Sequence, residues 1–297
     1  MTTTGQNWID STRSYLMSGY AEERNKLSVA YTAGDTTLTF SYALGGIRQG
    51  ARLSIGTNTF YVWAVNGQEA TISAGEDSST DANAAIGTIV KVNPRFTDDE
   101  IWKALSGDLA DLSAPSNSLF GIGTVDLTYN PTVNGYDLGS IADKLLSIYE
   151  LKYLTPGPQL DNPRIPVNGW RLNRDAITTQ FASGLAVQLF MPAYPGYNLR
   201  VVYRSSFTFP TTISSSVSST GLLESAYDLP PLGAAIRLMA GREIKRNFTE
   251  AQGDTRRASE VGPGAVMQSS RNLQILRGQR ISAESARLDS LYPSYRA

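Results

Sequence analysis

The sequence predicts an α+β protein: a helical bundle hub with two inserted antiparallel β units, a small barrel or sandwich and a β-sandwich. Three patterns lead there. Residues 36–92 and 123–204 carry short runs of Thr, Val, Ile and aromatics that alternate with a period of two. The last quarter of the chain repeats apolar residues every three or four positions, and a short helix with a capping signature stands between the two β-rich stretches. No single helix before Asp228 can bury itself, so the expected arrangement gathers the N-terminal, middle and two C-terminal helices into one bundle.

Taken in order, Trp8, Ile9, Thr12, Tyr15 and Leu16 give residues 1–20 one short amphipathic helix ending near Gly19. The first β unit, 21–93, has strands expected at 36–40, 51–55, 59–65, 68–73 and 88–92. Asn66-Gly67 marks a type I′ hairpin and Gly56-Thr57-Asn58 a second turn, while 76–85 is polar and without period, an exposed loop. Thr97-Asp98-Asp99-Glu100 then reads as a capping box. Thr97 accepts from the backbone of Glu100, Glu100 reaches back to the N–H of Thr97, and the acids suit the positive end of the dipole. The helix over 97–114 carries Trp102, Leu105, Leu109 and Leu112 on one stripe and stops at Pro115. Strand patterning returns over 119–210, with tight turns at Asn134-Gly135 and Asn168-Gly169, and Thr211 to Thr220 reads as a flexible Ser/Thr connection.

The C-terminal helices occupy 228–292. Asp228 is placed as an N-cap, and Pro230 and Pro231 fall in the first turn, where a missing N–H costs least. Leu232, Ile236, Ala240, Ile244 and Phe248 form one face, with Arg237, Arg242, Lys245 and Arg246 mostly off it. After Gly262-Pro263-Gly264 a second periodic run reaches Leu291, roughly 40 Å at 1.5 Å per residue. Unless Gly278 bends it, part of this helix must meet something outside its own domain. Pro293 ends it, leaving 293–297 as a tail.

Composition narrows the chemistry. The 297 residues include no histidine and no cysteine, which removes imidazole acid–base catalysis, thiol chemistry, zinc sites and disulfides together. No Walker, dinucleotide or nucleophile-elbow motif is present. Glu76, Asp77, Asp81 and Asn83 offer oxygen ligands without the spacing of a dedicated calcium loop, and the acids at 98–100 are explained by capping. No catalytic, cofactor-binding or metal residue is expected, and no cofactor. Residues 1–20 lack a signal-peptide layout and no apolar run reaches membrane-spanning length, so a soluble, unexported chain is expected. The formal net charge of −1 is uneven: from Asp228 onward eleven Arg and Lys face seven Asp and Glu. The arginines alternate with acids and no aromatic platform lies among them. Solvated or subunit-facing helix surfaces therefore explain the charge more simply than nucleic-acid binding.

Several segments, in this order and spacing, carry a likeness: AGDTTLTF (33–40), AAIGTIVKVNPRF (84–96) leading into the capped helix, NGWRLNRD (168–175), NLRVVYRSSF (198–207), TGLLESAYDLPPLGAAIRL (220–238), SSRNLQILRGQR (269–280) and ARLDSLYP (286–293). Together they resemble head-to-tail adaptor (connector) proteins of tailed double-stranded DNA bacteriophages. The resemblance implies a non-enzymatic virion protein, made in the host cytoplasm and placed at the head–tail junction. It implies a homo-oligomeric ring, typically twelve-fold, beneath the portal protein and above a tail or neck protein. Double-stranded DNA would pass through the ring, and no membrane is involved. On this reading Arg287, Tyr292, Pro293, Tyr295 and Arg296 dock into the portal, and Arg271, Arg277 and Arg280 make subunit or channel contacts. The alternative is a tail or baseplate structural protein whose β domains bind a glycan.

Overall fold

The computed structural model describes residues 2–16, 22–43, 45–130, 132–154, 165–191, 193, 196–240 and 265–293. By contact density the chain divides into two units, one of Met1–Leu109, Pro210–Val217 and Tyr227–Arg280, the other of Ala110–Phe209, Ser218–Ala226 and Ile281–Ala297.

The first unit holds a six-stranded antiparallel sheet: β1 (Glu23–Lys26), β2 (Thr37–Thr39), β3 (Arg52–Ile55), β4 (Asn58–Asn66), β5 (Glu69–Ala74) and β6 (Ile89–Val92), in the order β1-β6-β3-β4-β5-β2. The sheet curls until its edges meet, where Leu27 bridges Phe40, the Ser28 N–H donates to the Thr39 carbonyl (2.9 Å) and the Ser41 N–H to that of Lys26 (2.8 Å). Leu38, Phe40, Leu53, Phe60, Ala70 and Val90 fill the interior. Asn66 pairs with Glu69, so the hairpin turns on Gly67-Gln68, one residue later than expected. Only Gly67 has positive φ (63°), the glycine-first pattern of a type II′ turn. β1 was not anticipated: its residues, Glu-Arg-Asn-Lys, place only Asn25 inside.

Helix α1 (Gly5–Leu16) buries Trp8, Ile9 and Thr12. The Ser/Thr stretch expected to be flexible is ordered against its start: the N–H groups of Gly5 and Gln6 donate to the carbonyls of Ser215 (3.1 Å) and Ile213 (2.8 Å). Two orphan donors of a helix N-terminus are thereby satisfied. Helix α2 (Asp98–Leu112) starts at the expected box, with Thr97 N–H donating to Glu100 Oε2 (3.0 Å) and Glu100 N–H to Thr97 Oγ1 (3.1 Å). Helix α3 (Leu229–Ala240) packs on α1 and has Pro230 and Pro231 in its first turn.

The second unit is a sandwich of two three-stranded antiparallel sheets. One orders β10 (Trp170–Asn173), β11 (Ala186–Leu189) and β8 (Gly135–Asp137). The other orders β7 (Gly121–Leu127), β12 (Asn198–Ser205) and β9 (Leu145–Leu154). Leu151, Tyr153, Val187, Leu189, Leu199 and Val201 meet between them.

The expected helical bundle hub, made of the N-terminal, middle and two C-terminal helices with the β units inserted, is not what forms. The protein is a mixed α/β structure dominated by its three sheets, with four helices among the described residues. The physical reason lies in the last helix, α4 (Ala265–Leu291). A bundle strut needs a continuous apolar stripe, whereas Ile275 and Leu276 are 54 % and 44 % exposed, and Ile281, Glu284 and Leu288 are the buried side chains described on α4. The barrel and the sandwich each enclose an apolar cluster of their own.

Candidate partner-binding helix

Within the first unit, α4 is held by charge. Arg277 Nη2 donates to Asp108 Oδ1 (2.8 Å), a carboxylate on α2 that is 3 % exposed, and Arg237 of α3 places its Nε 3.7 Å from the same oxygen. This arrangement depends on Gly233. A Cβ there would fall 1.9 Å from Asp108 Oδ1, so only a glycine lets α3 pass over the carboxylate. One turn before the buried Glu284, Arg280 grips Asp228 with two bonds, Nε to Oδ2 (2.8 Å) and Nη2 to Oδ1 (3.0 Å). Asp228 sits in the N-cap position of α3, as expected, and its carboxylate serves α4. Arg277 and Arg280, expected as contacts to neighbouring subunits or the channel, are thus engaged inside the chain. Arg271 is exposed, on the same stretch as exposed Ile275 and Leu276.

Within the second unit, the end of α4 is anchored. Ile281, Glu284 and Leu288 are buried at 8 %, 5 % and 4 % exposure, and Ser225 Oγ donates to Glu284 Oε2 (2.7 Å). The Tyr292 N–H closes the helix on the Leu288 carbonyl (2.8 Å), and its ring meets Tyr149 of β9 edge-on at 5.8 Å. Arg204 of β12 lies 4.3 Å over the Phe120 ring and donates through Nη2 to the Tyr292 carbonyl (3.4 Å). Of the residues expected to dock into the portal, Arg287 is exposed with its Nη1 3.8 Å from Glu284 Oε2, Tyr292 is half-buried and Pro293 is exposed. Tyr295 and Arg296 lie outside the described residues, as do Arg242, Ile244, Lys245, Arg246, Phe248 and Gly262-Pro263-Gly264.

Two buried acids escaped the sequence reading in their main role. Asp108 was not singled out. Asp98 was read as a capping acid, yet it is the centre of a charge cluster in the first unit: Lys91 Nζ donates to both its oxygens (2.8 and 2.6 Å) and Arg13 Nε to one (3.1 Å), while another Arg13 nitrogen pairs with Glu22. The signal available in sequence was weak, a lysine seven residues upstream on a strand that alternates. The oxygen-rich loop is occupied by protein donors. Asp81 accepts from the Tyr31 hydroxyl and the Gly34 N–H (both 2.8 Å), Asn83 Oδ1 from the Ala33 N–H (2.8 Å), Glu76 from Ser73 Oγ (2.6 Å), and Asp77 pairs with Arg52. Burial, with Asp81 beside it, raises the Tyr31 phenol above its ordinary pKa.

Among the described residues no group of three or more Asp or Glu is placed to hold a metal ion, and no helix is long and apolar enough to cross a membrane. Compared with known proteins, the chain matches no family model and no curated protein.

Proposed function

We propose that this chain is a non-enzymatic structural protein of a bacteriophage virion, a head-to-tail adaptor that assembles as a ring beneath the portal and surrounds the exiting DNA. The observation that carries the reading is α4: a 27-residue helix whose end is anchored by Ile281, Glu284 and Leu288 while Arg271, Ile275 and Leu276 remain exposed. A helix of about 40 Å that is gripped through Arg277, Arg280 and its last turns, yet exposed at Arg271, Ile275 and Leu276, suits a subunit that must meet a neighbour along its flank and a second protein beyond its end. Arg287, Pro293, Tyr295 and Arg296 are then the portal-facing groups, Tyr292 the residue that aims them, and Arg271 the subunit-facing or channel-facing arginine. The sequence resemblance given above points the same way.

Mass photometry of the purified chain, alone and mixed with the portal protein of the same phage, tests the proposal. Recruitment onto the portal in ring-sized multiples is expected, and loss of recruitment on truncation after Leu291 with the fold retained by circular dichroism. A stable small oligomer indifferent to the portal, or a truncated chain that still binds it, overturns the reading.

A further inference from the structure

The sandwich carries an open basin on its β8/β10/β11 side, about 880 Å³ in volume, within the roughly 300–1,000 Å³ range of small-molecule sites. Its chemistry is unlike that of a packing defect. Phe190 lies on its wall and is 67 % exposed, and Met191 beside it is 76 % exposed. An aromatic ring left this bare at a strand end contributes little to the core and leaves apolar surface on the basin wall.

The floor is built deliberately. Phe181 lies against Gly135, where a Cβ would fall 2.6 Å from its ring, so the residue that looked like half of a tight turn is the gap that seats an aromatic side chain. Gly169, at φ 75°, makes the turn whose carbonyl accepts the Phe190 N–H (2.7 Å). Around the rings stand planar amides: Asn134, Gln180 and Gln188. Gln188, in the lining, accepts from Arg171 Nε (3.0 Å), which fixes its carbonyl and leaves its NH₂ as the remaining donor. The carboxylate in the lining, Asp137, is committed to Ser183 Oγ, the Ser183 N–H (3.2 Å) and the Gly139 N–H (2.7 Å). It is a structural acid in this geometry. What remains to meet a ligand is aromatic surface, amide donors and acceptors, and the outer nitrogens of Arg171.

We infer that this basin is a saccharide-binding site, taking a pyranose ring against Phe190 and its hydroxyls on Asn134, Gln180, Gln188 and Arg171. A pyranose fits because it has apolar C–H faces for an aromatic ring and a rim of hydroxyls that both donate and accept, the two-way bonding that amides provide. A flat apolar ligand would leave the amides unpaired, and a phosphate would meet a single cation. The inference rests on the basin's own residues and takes no step from the adaptor reading.

The test uses the full chain and saturation-transfer NMR with methyl pyranosides of glucose, galactose, mannose and rhamnose, and with glucuronic acid, each at about 10 mM. Binding by at least one is expected. Affinity should fall tenfold or more in Phe190→Ala, a largely exposed position whose loss leaves the fold intact, and in Gln188→Ala. If a neutral glycoside binds, Arg171→Ala should weaken it only a few-fold; if the uronate is preferred, Arg171→Ala should remove that preference. No binding by any of the five overturns the inference, and so does binding that Phe190→Ala and Gln188→Ala leave unchanged. Portal recruitment of the same variants is expected to be normal, so failure here is distinguishable from failure of the adaptor reading.

Discussion

Two glycines on helices give opposite expectations for the same substitution. In a helix interior Gly→Ala ordinarily stabilises by about 1 kcal/mol, because alanine loses less backbone entropy on folding. At Gly278 of α4 nothing lies within 4 Å of the added Cβ, and the ordinary gain should be seen. At Gly233 of α3 the Cβ would sit 1.9 Å from Asp108 Oδ1, and reaching the 3.4 Å of ordinary contact requires a shift of about 1.5 Å. Neither side of this contact yields easily, for Asp108 is buried and tied to Arg277 at 2.8 Å. Overpacking of this kind costs about 1–3 kcal/mol, and loosening a buried ion pair adds to it. Against a propensity gain of about 1 kcal/mol, a net loss of about 2 kcal/mol is expected for Gly233→Ala. Native-state hydrogen exchange of the α2 and α3 amides reads it directly as a fall in protection of roughly 30-fold. In an Asp108→Ala background the added methyl meets no carboxylate, so the cost of Gly233→Ala should vanish or reverse, a coupling that a double-mutant cycle measures. If Gly233→Ala raised protection in the wild-type background, or cost the same with and without Asp108, the packing account would be wrong.

Other expectations follow from the charges. Asp98→Ala strips the shared acceptor from Lys91 and Arg13 and should cost about 3–5 kcal/mol in urea denaturation, whereas Lys152→Ala, which removes a pair with Glu150 that is partly exposed on both sides, should cost under about 1 kcal/mol. In the basin, the Ser183 hydroxyl first and then backbone N–H groups, opposed by burial, hold the Asp137 pKa below its ordinary value. A depressed carboxylate stabilises the fold above its unfolded pKa, and the contribution is lost as pH falls through the folded pKa. Ser183→Ala should therefore raise the Asp137 midpoint in a carboxyl NMR titration and move the acid end of the stability curve to higher pH. Arg204→Ala should release Tyr292 from β12 and weaken portal recruitment several-fold while the sandwich stays folded, checked by mass photometry beside circular dichroism.

Local chemistry was the legible part of this chain. The box at Thr97 and Glu100 forms because both partners lie within one turn, and eleven of the twelve strands fall near runs of β-forming residues, with the alternation plainest where one face is buried, as in β5, β8 and β12. The strand that was missed, β1, shows the limit: Glu23, Arg24 and Lys26 look outward, and Asn25 turns inward to bond the Tyr42 backbone, so no apolar alternation exists to be read. Yet the sheet closes through it. The bundle was wrongly expected for a related reason. Periodicity says that a helix has a face but not what the face meets, and the apolar spacing of α4 predicts a core stripe of which Leu276 and Leu291 remain outside.

The same distinction separates the residues that a sequence offers as functional from those that position them. Arg277 and Arg280 attract notice as cations on a long helix, but each pairs with an acid more than fifty residues earlier in the chain: Arg277 with Asp108, Arg280 with Asp228. No local spacing encodes such a pair. With those two arginines engaged, the exposed charged and large apolar side chains described on α4 are Arg271, Ile275, Leu276, Arg287, Asp289 and Leu291, a sparse, mixed surface. A surface of that kind binds weakly as an isolated patch and gains strength when many copies present it together, since linked contacts act at high effective concentration. Closure of a ring is one way to supply those copies, which makes stoichiometry on the portal, rather than the affinity of one subunit, the quantity on which the adaptor proposal stands or falls.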